Sequence, residues 1–135
     1  MLDRREWLLV EAKAHLGEVA TSCAAVEGDG RDTIVRACEQ TKAALGVEGA
    51  DWLTGYYQMA NRLAFLHFMQ THGLPARLLF VYFTGDQRSG GVVAPRSEAE
   101  WMPTLQAQDS HLGLPAKHGL SDRVHKVFLP VAPSK

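Results

Sequence analysis

Glu11-Ala12-Lys13 sets a carboxylate and an ammonium two residues apart at the end of the apolar stretch Trp7-Leu8-Leu9-Val10. In an extended chain alternate side chains share a face, so Trp7, Leu9, Glu11 and Lys13 point one way and Leu8, Val10 and Ala12 the other. Together on one face, the two charges are groups that chemistry could use. The competing reading is an ion pair at a solvated strand end, which contributes little. Two charges closing an apolar strand are costly to desolvate unless paired, hydrated or bound to a metal, and this is the only Asp/Glu-x-Lys in the chain.

The elements that must hold these groups follow from periodicity. Both faces of the first run are apolar, which predicts a strand from the middle of a sheet covered on both sides, ending near Gly17. A helix is expected from Asp32 as N-cap to Gly46. Its inner stripe is Ile34, Cys38, Thr41 and Leu45, with Arg31, Arg36, Glu39 and Lys42 mostly outside. A second helix, capped by Asp51, runs through Trp52, Tyr56, Tyr57, Met59, Leu63, Phe65, Leu66 and Phe68 towards Gly73. Apolar on most sides, it should pack against the sheet and a neighbour. Thr54, Gln58, Asn61 and Arg62 stand out along one polar side, at spacings of three and four.

Leu74-Pro75 breaks that helix, and the continuous apolar run 77–83 reads as a covered central strand. An exposed loop is expected over 87–96, followed by a capping box with Ser97 as N-cap and Glu100 at the third helical position. The helix it opens carries Trp101, Leu105 and Gln108 to Gly113, and Pro103 fits only in its first turn. Residues 123–131 form a last strand whose Pro130 belongs at an edge or beyond the ladder. The order strand, helix, helix, strand, helix, strand predicts an α/β fold, a small mixed or parallel sheet flanked by helices. Three strands leave long unpaired edges, to be covered by further strands from the loops or by a second copy, so a homodimer is expected.

With 135 residues, 46% hydrophobic and 21% charged, one domain spanning 1–135 can bury a real core. A formal charge of −1 excludes a uniformly basic surface but not a local nucleic-acid patch. Cys23 and Cys38 do not form a Cys-x-x-Cys and read as free, small buried hydrophobes. No signal peptide and no membrane span are evident, so a cytoplasmic protein with no membrane partner is expected. His67, His72, His111, His118 and His125 make no zinc pattern, and His15 joins the face of Glu11 and Lys13 only if the strand persists that far. Trp52, Tyr56, Tyr57 and Trp101 fall at helical spacing and read as core rather than as a base-stacking platform. Phosphate-binding glycine loops, nucleophile elbows and kinase signatures are absent from the sequence.

The apolar strand ending in Glu11-Ala12-Lys13, a long helix, and then the apolar strand 77–83 resemble the PD-(D/E)XK nuclease-like superfamily over roughly residues 7–83. The resemblance implies a restriction-endonuclease-like core and a metal-dependent nuclease that hydrolyses nucleic-acid phosphodiester bonds. Glu11 would be a magnesium ligand and catalytic group, the carbonyl of Ala12 a further ligand, and Lys13 the catalytic lysine. Some exonuclease-like branches add Gln-x-x-x-Tyr on the following helix. Here Gln58-Met59-Ala60-Asn61-Arg62 departs at its last position, leaving Gln58 as a site residue and Arg62 as a cation expected to pair with Glu11, Asp86 or another carboxylate. The family's first metal-binding Asp lies on a preceding strand, and only Asp3 precedes Glu11 here. The chain is therefore expected to begin inside the family's fold, without its N-terminal elements. The alternative implied function is a non-catalytic module of the same fold, for nucleic-acid binding or protein interaction. A metal-binding second carboxylate near Glu11 would favour the nuclease, and an apolar or arginine-paired pocket the module.

Overall fold

A computed structural model describes residues 5–25, 27–86 and 94–131. Its elements follow the expected order: β1 (Trp7–Lys13), α1 (Asp29–Leu45), α2 (Tyr57–Thr71), β2 (Ala76–Thr84), α3 (Glu98–Leu112) and β3 (Val124–Pro130). Asp3 and most of the expected 87–96 loop lie outside the described residues. The three strands form one parallel sheet in the order β1-β2-β3. β2, the most continuously apolar of the three, is central, and Pro130 closes an edge strand, where its missing N–H deprives no neighbour.

The register sets the two faces of this sheet. Leu9, Glu11 and Lys13 align with Leu78, Phe80 and Tyr82, which align in turn with Val124, Lys126 and Phe128. This face carries the core. Met59, Leu63 and Leu66 of α2 and Trp101 and Leu105 of α3 join Leu78, Phe80 and Tyr82 in a single apolar cluster. Each buried aliphatic or aromatic side chain contributes about 1.5–3 kcal/mol through water exclusion. The two buried tryptophans keep their N–H groups satisfied: Trp101 Nε1 donates to the Phe83 carbonyl and Trp52 Nε1 to that of Leu112, both at 2.9 Å.

Because both crossovers advance across the sheet in the same direction, α2 and α3 fall on the same side. The expectation of a sheet covered on both faces is thereby corrected. β1 is an edge strand, and the face bearing Leu8, Val10, Val127 and Leu129 is exposed. Two apolar faces on a strand do not reveal whether one chain supplies both coverings.

Several local expectations shift as well. α1 starts at Asp29 behind Gly28 rather than at Asp32, and Lys42, expected outside, is buried with its ammonium 3.1 Å from Glu39. α2 starts at Tyr57. Residues 51–56 instead form a turn in which the Asp51 carboxylate accepts from Leu53 N and Thr54 N at 2.8 and 3.2 Å. Gly55 in that turn has φ +85°, the left-handed region that favours glycine. Phe65 and Phe68 of α2 lie exposed rather than packed.

Ser97 caps α3 as expected, accepting from Glu100 N, although the Glu100 carboxylate reaches Arg96 N instead of closing the box. Pro103 sits one turn further in than expected. It faces solvent, as does Ala99, whose carbonyl it leaves without a helical donor, so water can take that role. β1 ends at Lys13 and the chain turns into a short 3-10 helix at Leu16–Glu18, so Gly17 is not the strand's end.

Candidate functional site

β1 delivers Glu11 and Lys13 to the covered face near the carboxyl ends of the strands, the side on which open α/β sheets form their ligand crevices. α2 crosses that face and brings Gln58 and Arg62, one helical turn apart and on one side. The four side chains meet. Lys13 is 7% exposed, and its ammonium has three neighbours that accept: Glu11 Oε1 at 3.3 Å, the Glu18 carbonyl at 2.9 Å, and Gln58 Oε1. Of the three N–H donors of an ammonium, two are spent in hydrogen bonds to Glu18 and Gln58, and the ion pair with Glu11 engages the charge.

Glu11 is equally engaged. Oε1 faces Lys13 and Oε2 accepts from Arg62 Nε at 2.9 Å. Burial pushes the Glu11 carboxyl up, but the hydrogen bond and charge of Arg62, with the charge of Lys13, outweigh it and hold the group below its ordinary range. The expected arginine-to-carboxylate pairing is therefore made with Glu11. Arg62 commits Nε to that bond while 37% of its side chain stays exposed, which makes it the solvent-facing cation of the cluster.

The geometry bears directly on magnesium. Both Glu11 oxygens already face cations, and two positive charges at 3.3 and 2.9 Å would repel a dication entering there. Among the described residues no group of three or more His, Cys, Asp or Glu side chains gathers to hold a metal. The Ala12 side chain belongs to the opposite, open face, while its carbonyl, the expected ligand, lies in the plane of the sheet. As arranged, these residues do not present a magnesium site.

His15 does not join the cluster, because the strand stops before it; its Nε2 lies 2.9 Å from Glu18 Oε1, which also accepts from Ala14 N and His15 N. Glu18, through its backbone carbonyl, is a participant that the sequence did not reveal. A carbonyl carries no residue-type signal, and only the turn after Lys13 brings it round. Tyr57 borders the site: burial raises its phenol, the neighbouring Cys23 thiol adds to this, and Arg62 partly offsets it.

A cleft of about 230 Å³ lies elsewhere, against β3, lined by Met59, Asp109, His118, Ser121 and Lys126 among others. His118 there is held below its ordinary range by burial, against the pull of Asp109, and its Nδ1 accepts from Leu120 N at 3.1 Å. Sequence spacing pointed to none of these residues, since they come together from three separate segments.

No family model, no curated protein and no solved structure matches this chain.

Proposed function

We propose that this chain is a non-catalytic α/β module that holds a nucleic-acid phosphate at the carboxyl ends of its strands through Arg62. Glu11, Lys13 and Gln58 are the scaffold that fixes the guanidinium. The observation carrying this reading is the engagement of the centre: Lys13 donates to Glu18 and Gln58 and pairs with Glu11, and Glu11 faces two cations, which occupies the groups that would bind metal or activate water. A planar guanidinium suits phosphate, which it can meet with two parallel donors. The choice of nucleic acid as ligand, and of a nuclease-like core as ancestry, rests on the resemblance of the Glu11-Ala12-Lys13 strand.

One observation favours the magnesium-dependent nuclease as a second reading. Glu11 and Lys13 share the covered face at the crevice end of a parallel strand, as that chemistry requires. For it to operate, Arg62 would have to leave Glu11 and a further ligand would have to arrive.

Fluorescence anisotropy with labelled single- and double-stranded DNA and RNA, in EDTA and at low salt, separates the two readings. The module binds without metal, and Arg62→Ala weakens binding and lowers the salt slope by about one unit, as loss of a single phosphate contact does. Arg62→Lys recovers part of the affinity. Calorimetric magnesium binding that vanishes in Glu11→Gln, together with metal-dependent cleavage, would replace this reading with the nuclease. Absence of binding to every oligonucleotide, in EDTA and in magnesium alike, would reject both.

A further inference from the structure

Among the described residues, the sheet face opposite the helices is apolar and uncovered. Leu8 and Val10 are each 56% exposed, Leu129 45% and Val127 36%, and Leu79, Val81 and Phe83 between them are half-buried. Parallel sheets are ordinarily covered on both faces, because a bare face of branched aliphatic side chains leaves a large apolar area in water. Polar groups occur on this face only at its amino end. There the Glu6 carboxylate bridges Arg77 and Arg123 at 2.9 and 3.1 Å, and Arg77 Nη1 lies 3.1 Å from His125 Nε2.

We infer that this face is the interface of a homodimer, in which two copies stack sheet against sheet about a two-fold axis. The inference is independent of the function proposed for the Glu11 cluster, which lies on the opposite face.

Area supports a second copy. From their exposures the apolar side chains of the face offer on the order of 500 Å² per chain, close to the apolar share, about 65%, of the roughly 800 Å² that each partner buries in a specific interface of standard size. The polar row beside it supplies a rim. The patch can also be its own complement: a band of Leu, Val and Phe packs against an identical band at the ordinary sheet spacing of about 10 Å, at the angle set by the twist of the sheets, and a two-fold axis asks nothing else of it.

Charge selects the orientation. The Glu6, Arg77 and Arg123 row carries a net positive charge at one end of the strands. An axis running across the strands sets each row beyond the carboxyl end of the other sheet, so that like charges do not meet. With a formal charge of −1 per chain, long-range repulsion between copies is slight.

Sedimentation velocity and light scattering of the full chain, from about 1 to 200 μM, are the test, across the range in which standard interfaces assemble. The expected result is a dimer for the wild type and a monomer for Val10→Asp and for Leu129→Asp, each with an unchanged far-ultraviolet dichroism spectrum. If aspartate unfolds the chain, Val10→Thr with Leu129→Gln takes its place and should raise the dimer dissociation constant about tenfold or more, by loss of buried methyl groups. A wild type monomeric throughout the range overturns the inference. In that case, binding of an apolar dye by the folded monomer would assign the face to another occupant, such as a helix from a different chain. A dimer with the same constant in the variants overturns it equally, by placing the interface elsewhere.

Discussion

Replacing Glu11 with glutamine tests whether the centre is a structural knot. The change keeps the side chain's size but removes the carboxylate that pairs with both Lys13 and Arg62, and either orientation of the amide turns a donor towards one of two donors. Lys13 retains Gln58 and the Glu18 carbonyl, so its charge stays hydrogen-bonded but loses its counter-ion at 7% exposure. Removing one partner of a buried pair costs 3–5 kcal/mol, and with two acceptors remaining the expected loss is about 3 kcal/mol. For a domain of this size that lowers Tm by about 10 °C.

The assay is scanning calorimetry with urea unfolding at pH 7, for wild type, Glu11→Gln, Lys13→Met and the double variant. The double variant removes both charges and should recover part of the loss, since matched apolar replacements of buried pairs are often neutral. Acid titration gives an independent reading. The folded-state pKa of Glu11 is depressed below its ordinary 4.5, so its contribution is fully present above that value and is lost as pH falls through the lower, folded value. Glu11→Gln should therefore flatten the acid limb of the stability curve. A loss under about 1 kcal/mol, the size of an exposed pair, together with an unchanged acid limb, would refute the knot and leave Glu11 and Lys13 free for chemistry.

Gly55→Ala should destabilise by at least about 1 kcal/mol, because φ +85° is strained for alanine and the added methyl would stand 3.2 Å from the His111 ring; denaturant midpoints read the effect. Leu63→Ala, at a fully buried α2 position, should cost about 2–5 kcal/mol in the same measurement. Burial raises the Cys38 thiol while Cys23 is half-buried, so a thiol reagent should modify Cys23 first and Cys38 only on unfolding, with Cys23→Ser abolishing the fast phase. Burial and the nearby Asp109 charge push the Tyr82 phenol up, with the neighbouring Gln108 side chain partly offsetting the rise. Alkaline spectrophotometric titration should therefore find Tyr82 ionising only as the fold is lost, and Tyr82→Phe should remove that last step.

The sequence by itself determined what depends on neighbours along the chain. Period-two and helical spacing established the six elements in order, Ser97 and Gly113 set the ends of α3, and the unbroken apolar run of β2 marked the central strand. Alternation alone put Glu11 and Lys13 on one face. What it could not carry was contact across long separations. Arg62 meets Glu11 across 51 positions and Gln58 meets Lys13 across 45, so the spacing within Glu-x-Lys was compatible with a magnesium ligand and with a structural ion pair alike. The start of α2 was misread because Trp52 fits the apolar stripe yet is buried from a turn, where Asp51 bonds locally instead of capping a helix. Which sheet face the helices cover was likewise beyond local pattern. Both faces of β1 are apolar, and only the packing of α2 and α3 on one side decided that Leu8 and Val10 would be left bare.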